Sequence, residues 1–531
     1  MDSLHHVPPP PTLSALTRAE LEALLVAVYG EVAALRQSVS ELREENARLK
    51  GLKGRPDIKP SGMEKGTAPA KPGEGEKRPG RGKVTPRVRV EDEVIRAAIP
   101  HGSLFKGHEP FMVQDLVISA KATCYLRERW ITPDGRTILA PLPEGVTGHF
   151  GPELRRFVLV QYHQGQSTMP RLLAFLRAVG VAISKRQLVR LLNENHAAFI
   201  AEARDVLRAG LHTSPWVSVD DTGARHAGRN GFCTQIGNEW FTSFRTRSSK
   251  SRLNILDLLR AGHTDYVLND AAFAYMRANN LSVASIALLA AGPSRFVDQA
   301  AWLSHLDRLG FTAMRGLPNP LQIATEAALW GSVQAHEFLR DAVILSDDAG
   351  QFNIGRHALC WVHAERLVHR LDTFTDAHRA AQARVRGLIW EFYADLKAYQ
   401  RSPDKRQAQA LRDRFDRIFL GRTGFSALDR QVARIAANKA ELLMVLERPE
   451  IPLHTNGSEN DIRCHVTRRK VSAGTRSEIG RDCRDAFLSL AKTCDKLGIA
   501  LWDYLGSRFN LAGAAIIQPL DLYVRARHRP A

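Results

Sequence analysis

The sequence has few cysteines, and none of them form a metal-knuckle pair. The six are Cys124, Cys233, Cys360, Cys464, Cys483 and Cys494, and no two stand in a CxxC arrangement. A zinc ribbon built from neighbouring thiols is therefore not expected. Long apolar runs are also missing: none approaches the ~18 residues needed to span a bilayer. The N-terminal stretch MDSLHHVPPPP has no apolar centre, so it does not read as a secretory leader. Together these absences point to a cytoplasmic chain with reduced thiols.

Negative charge is the scarcer sign. Asp and Glu number 56 against 74 Lys and Arg, leaving +18. A surplus of that size makes a polyanion, nucleic acid first, the expected partner. At 531 residues with 44% hydrophobic content, the chain is long enough for two to four packed domains.

Residues 18–50 carry a heptad repeat. Leu25, Val32, Val39 and Asn46 recur every seven residues, as do Val28, Leu35, Leu42 and Leu49, offset by three. Two valines beside a leucine and a single Asn at one position, and mainly leucine at the other, predict a parallel two-stranded coiled coil, hence dimerisation. Residues 51–86 are rich in Gly, Pro and Lys and cannot repay the entropy of ordering, so they read as a flexible basic linker. Residues 87–145 alternate weakly around a TPDGR turn and suggest a small β-rich module. Three helices are expected over 152–195, with Ser167 or Thr168 capping the second and Ser184 the third. This is either a helix-turn-helix presenting Lys185, Arg186, Gln187 and Arg190 to a DNA groove, or an ordinary three-helix packing unit.

From 216 the pattern becomes mixed α/β. WVSVDDTGARH reads as an apolar strand ending in Asp220 and Asp221. A hairpin and a helix follow, and after a long helical stretch Ala342–Leu345 forms a second buried strand ending in Asp347 and Asp348. Neighbouring parallel strands end at one sheet edge, and clustered carboxylates are costly unless a cation neutralises them. Asp220 and Asp347 together therefore suggest a divalent-metal site, with oxygen ligands suited to Mg2+ or Mn2+. Glu459, in TNGSENDIR, is the third candidate. Arg463, Arg468, Arg469 and Lys470 follow it, as a metal-bound phosphodiester would require.

These motifs resemble those of bacterial insertion-sequence transposases of the Asp-Asp-Glu type, closest to the insertion sequence sixty-six family. DDT (Asp220–Thr222), DDAGQF followed by CWVHAER (Cys360–Arg366), and TNGSENDIR followed by RRK are the matching stretches, and TCDKLGIALWDYL resembles the closing helix of that family. The likeness runs from the coiled coil to about residue 509. The family often carries a cysteine-rich zinc module before the helix-turn-helix; only Cys124 remains over 87–145, so no structural zinc is expected. The 127 residues from Asp220 to Asp347 suggest a helical insertion around 265–338, and a second is expected at 376–450.

The resemblance implies an α/β multidomain protein with a ribonuclease-H-like core over 210–509 and a C-terminal tail at 510–531. Asp220, Asp347 and Glu459 would hold two divalent ions, with Asp221 and Asp348 as alternates. The implied activity is hydrolysis at the ends of a mobile element, followed by transfer of the freed 3′-hydroxyl into target DNA. The implied partners are terminal inverted repeats, target DNA, further copies of the chain in a dimer or synaptic oligomer, and small accessory proteins. The implied location is the bacterial nucleoid. His363 either orients a ligand or contacts DNA, or is a core histidine. Two other functions stay open: a dimeric helix-turn-helix regulator without catalysis, and a ribonuclease-H-like endonuclease that cuts without joining.

Overall fold

The structure is a computed structural model that describes residues 90–98, 100–143, 148–314 and 319–527, with scattered positions between 17 and 32. Of the heptad positions, only Val28 and Val32 are among them, helical and exposed. The other six, and the linker at 51–86, lie outside the described residues.

The chain divides into two units, residues 1–115 and 116–531. In the first, the described residues from 90 onward form neither helix nor strand. The second opens with an irregular stretch and a hairpin, β1 (Arg129–Ile131) and β2 (Thr137–Leu139). The hairpin turns at the TPDGR sequence, where Gly135 takes φ +80°. Of the β-rich module expected over 87–145, the described residues form this one hairpin. Phe111, Val113 and Val117, which suggested further strands, stand exposed, and a strand with no apolar face to bury gains little from pairing.

The three helices expected next are present: α1 (Pro152–Leu159), α2 (Met169–Ala178) and α3 (Lys185–Asn193). Ser184 closes a capping box with Gln187 at the start of α3. Thr168 occupies the cap position of α2 without a side-chain bond, and Pro170 in the first turn sets the helical φ instead. A π-turn, Val160–Gln164, extends α1 and drives His163 into the interior. The long α4 (Ala197–Thr213) then leads into the sheet.

The sheet has five strands in the order β5-β4-β3-β8-β9. Its first three are β3 (Trp216–His226), β4 (Arg229–Gly237) and β5 (Thr242–Arg247), an antiparallel meander. The helix α5 (Arg252–Leu259) opens the first insertion. It continues through the short pair β6 (Tyr266–Val267) and β7 (Arg295–Phe296), with α6 (Asp270–Ala278), α7 (Val283–Ala290), α8 (Gln299–Arg308) and α9 (Pro320–Ala335). The chain returns to the sheet as β8 (Val343–Ser346) and β9 (Arg356–Leu359), both parallel to β3. The helix α10 (Trp361–His369) leads to a second helical insertion, α11 (Asp376–Arg401), α12 (Lys405–Phe419), α13 (Ser426–Ala437) and α14 (Lys439–Leu442). This insertion has its own apolar core around Phe392, Phe415 and Trp361. The last four helices are α15 (Asn456–Ser472), α16 (Glu478–Leu497), α17 (Leu501–Arg508) and α18 (Leu520–Arg527). Residues 510–531, expected as a tail, thus contain a packed helix: Leu520 and Val524 are fully buried.

A polar stripe on α16 guards the edge of the sheet. The outward N–H groups of β5 donate to Asp485 (from Thr246, 2.7 Å), Ser489 (from Phe244, 2.8 Å) and Thr493 (from Thr242, 3.2 Å). Two strand residues rise about 6.7 Å and four helical residues about 6.0 Å, so a two-residue period on β5 meets a four-residue period on α16. An edge strand that would otherwise offer free amides is sealed by side chains.

Two predictions follow from this packing. Ser489→Ala strands the buried Phe244 amide and should cost about 1–3 kcal/mol in chemical unfolding, with faster hydrogen exchange at that amide. The second concerns His163, which burial, reinforced by Arg468, holds well below the usual histidine pKa. The folded ring stays neutral while the unfolded ring gains a proton below pH ~6.5, so stability must fall as pH drops through that value. His163→Phe should reduce the pH slope of unfolding free energy between pH 6 and 5 by about one proton, or ~1.4 kcal/mol per pH unit. An unchanged slope would show that the ring protonates in place.

Candidate active site

The register of β3 on β8 builds the site. Trp216 pairs with Val343, Val217 with Ile344 and Ser218 with Leu345. Continued by two residues, this register sets Asp220 level with Asp347, the residue after β8. The two aspartates sense each other's charge. Asp220 and Asp221 were expected at the end of their strand, but β3 runs on to His226 as one arm of a hairpin with β4. What ends at the acids is the parallel neighbour, β8, whose last residue is Ser346.

Strand alternation separates the paired acids. Ser218 and Asp220 share the face that meets α15, where Ser218 Oγ accepts a 2.5 Å bond from Ser458 Oγ. Asp221 lies on the other face and accepts from Gln351 Nε2 at 2.9 Å. Burial pushes Asp220 up to about 6; Asp347 and Asp221 push the same way, against a 2.8 Å bond from the Asp221 N–H. Burial also raises Asp221, opposed by Lys250 and Gln351. Asp347 Oδ1 accepts from the Ala349 N–H at 3.2 Å. Asp348 turns away to an ion pair with Arg434 at 2.6 Å.

Glu459 arrives on the first turn of α15, one residue after the Ser458–Ser218 contact. Its carboxylate accepts from Arg366 Nη1 at 2.9 Å, and His363 Nε2 stands 3.6 Å away. His363 links the acids electrostatically: it lies 3.6 Å from Glu459, it lowers the pKa of Asp220, and Asp347 helps to raise its own. Behind it lie Cys360 and Thr455. Burial would raise the Cys360 thiol, but hydrogen bonds with His363 and Thr455 outweigh it and hold the thiol below its usual value. The same contact raises His363. A cavity of about 270 Å³ opens beside Asp347, lined also by His363, Arg366, Arg370 and Arg434.

The basic residues after Glu459 divide. Arg463 and Lys470 are exposed. Arg469 is bonded to the Gly223 carbonyl on β3. Arg468, expected to face phosphate, is buried: its guanidinium lies 3.6 Å over the Tyr162 ring and donates to the Ser167 carbonyl at 3.0 Å. At i+9 from Glu459 it falls on the buried face of the helix with Ser458, Asp461 and His465, while its neighbours Arg469 and Lys470 do not. On α3, Lys185 and Arg186 are exposed, Gln187 is engaged in the capping box, and Arg190 pairs with Glu194 at 2.8 Å. Arg366 and Arg434 were not singled out in the sequence. Arg366 was detectable, because in CWVHAER it follows His363 by three residues, one helical face. Arg434 reaches Asp348 from 86 residues away and carries no such signal.

Among the described residues, no helix is long and apolar enough to cross a membrane. A family model described as "Transposase IS66 family" matches residues 147–270 and 331–482. The stretch it leaves out, 271–330, lies within the first helical insertion. An uncharacterized protein, y4jO, from Sinorhizobium fredii (strain NBRC 101917 / NGR234) is 50% identical over 323 residues, which is 61% of this chain and all of that protein. With the matched residues covering the sheet, the acids and α15, the chain belongs to the Transposase IS66 family.

Proposed function

We propose that the protein is a metal-dependent DNA transposase, cutting at element ends and joining the freed 3′-hydroxyl to target DNA, with Asp220, Asp347 and Glu459 as its catalytic acids. The observation that carries this is the register that levels Asp220 with Asp347 on adjacent parallel strands, together with a histidine, His363, that interacts electrostatically with both and stands 3.6 Å from Glu459. The strand order, an antiparallel meander flanked by two parallel strands, supports a ribonuclease-H-like core.

The donor set fits a hard divalent cation. It is all carboxylate oxygen, and Asp220 lacks a cationic hydrogen-bond partner among the described residues. Two magnesium or manganese ions held by Asp220, Asp347 and Glu459 would supply Lewis acidity and charge neutralisation at the scissile phosphate. The chain supplies the rest. Arg366, now on Glu459, and Arg434, now on Asp348, line the cavity beside Asp347 and are placed to bind phosphate oxygens bidentately. Cys360 and Thr455 hold the His363 ring in orientation beside Glu459. Arg463 and Lys470, with Lys185 and Arg186 at the start of α3, would contact flanking DNA backbone. The coiled coil read over 18–50 would bring two such sites together.

Two experiments test this reading. On labelled terminal-repeat DNA with Mg2+ or Mn2+, Asp220→Ala should abolish cleavage and retain DNA binding. Cleavage without joined product would identify an endonuclease, and DNA binding with no cleavage by the wild type would identify a regulator. The second needs no substrate. Because Asp220 is raised from 3.8 to about 6, its ionised form opposes folding at neutral pH. In chelator at pH 7.5, Asp220→Asn should raise unfolding free energy by on the order of 3 kcal/mol. The gain should shrink below pH ~6 and vanish near pH ~4, where the carboxyl is protonated in both states. Added Mn2+ should then stabilise the wild type more than the variant; equal stabilisation would count against a cation at Asp220.

A further inference from the structure

The inner face of α15 is unusual for a buried helix face. It consists of Ser458, Asp461, Ile462, His465 and Arg468, four polar residues and one aliphatic. A helix normally buries an apolar stripe, so each of these polar groups needs a partner inside. Ser458 has Ser218. Asp461 has Lys496 and Thr242, both at 2.5 Å. Arg468 has Tyr162 and the Ser167 carbonyl. His465 is the exception. It is 1% exposed, and neither ring nitrogen has a hydrogen-bond partner.

Two other metal-ligating side chains converge on that ring. Cys233 comes from β4 and Asp485 from α16. One ligand atom from each of the three lies within 4.8 Å of the other two, and Cys233 and Asp485 are 0% and 1% exposed. None of these atoms is hydrogen-bonded to His465, and three donors gathered this closely can share a central ion. We infer that Cys233, His465 and Asp485 form a buried site for a zinc-class cation, separate from the catalytic acids, that pins α15 to the sheet and to α16.

The chemistry of the three donors fits. Thiolate, imidazole and carboxylate are the zinc ligand types, and a water completes four-coordination. Burial holds His465 down to about 3, so the ring is neutral and keeps a lone pair. Asp485 already accepts from the Thr246 N–H and Oγ1, and a carboxylate with about four acceptor sites has room for a cation as well. Cys233 is held well above its usual pKa by burial, so in the metal-free protein it is a thiol. Binding forms the sulfur–metal bond and releases that proton to solvent. Arg484, 3.4 Å from Asp485, opposes a second cation, and the new thiolate charge offsets part of this. CxxC spacing could not reveal the site, because its ligands lie at 233, 465 and 485 and only the fold assembles them.

The test uses the full chain, produced in zinc- or cobalt-supplemented medium so that the buried site is loaded as the protein folds. After exhaustive dialysis, the wild type should retain about one equivalent of metal, and the cobalt form should show near-ultraviolet thiolate-to-cobalt absorption. Cys233→Ser should lose the band and the tightly held metal, and His465→Gln should lower occupancy. Cys360→Ser should retain both, which excludes the thiol near the acids. Asp220→Ala should also retain both, so failure of the catalytic reading leaves this result intact. Circular dichroism checks that each variant is folded. A wild-type protein with no retained metal and no thiolate band would overturn the inference, leaving a water in the cluster; that measurement does not depend on any variant folding.

Discussion

The pairing of β3 with β8 is the constraint on which the rest of the site depends. Parallel strands in register set equivalent residues side by side, and here they set one aspartate beside another. Withdrawal from water, reinforced by the neighbouring Asp347, makes Asp220 resist ionisation, as its raised pKa records. A fold selected for stability alone would place a serine or an aliphatic residue at one of these positions. β8 stops at Ser346 while β3 continues, and Asp347, the residue after β8, opens onto a cavity instead of packed side chains.

Glu459 must reach the same point from a different element, and the way α15 docks explains how it does. An apolar face can slide by a fraction of a turn at little cost, whereas a polar face cannot. Each buried hydrogen bond contributes only about 1 kcal/mol net, but breaking one strands a donor or acceptor at about 1–3 kcal/mol. The Ser458–Ser218 and Asp461–Lys496–Thr242 contacts therefore act more on register than on total stability. Lys496 lies on α16, the same helix whose Asp485, Ser489 and Thr493 seal β5. The edge of the sheet, α16 and α15 form one hydrogen-bonded chain that ends one residue before Glu459.

Much of this was legible in the sequence, for identifiable reasons. The strands carrying the acids announce themselves as short apolar runs ended by paired aspartates, and the hairpin after them by Gly-Asn. Ser184 announces α3 as its cap, and the structure closes that cap into a box with Gln187. Local signals of this kind are strong because they depend on a few adjacent residues. What was not legible depends on packing. Arg468 looks identical to Arg469 and Lys470 in a linear reading, and only the helical phase against Tyr162 separates them. The weak alternation over 87–145 suggested strands, but alternation predicts a strand only where one face finds something to cover, and Phe111 and Val117 find nothing. The tail at 510–531 carried too short a pattern to show that Leu520 and Val524 dock against α4.

The first helical insertion shows how such a site survives a large addition between two of its acids. The extra chain leaves the sheet after β5 and returns at β8, and the family match breaks off within it. Its base is tied by one carboxylate: Asp265 accepts from Ser332 at 2.9 Å, from His336 at 2.9 Å and from Arg295 at 2.7 Å. These contacts hold the carboxyl below its usual value despite burial. The outgoing chain, the β7 strand and the returning helix are therefore fixed to a single point, and the rest of the insertion packs into the main core through Trp302 and Leu306. A tie at the base leaves the β3–β8 register insensitive to what lies beyond it. It also lets the insertion contribute surface: Asp298, Gln299, Thr325 and Leu329 line a groove of about 900 Å³ together with Arg229, Arg247 and Arg481. The added helices thus reshape the ground beside the hairpin while the carboxylates stay where the parallel strands put them.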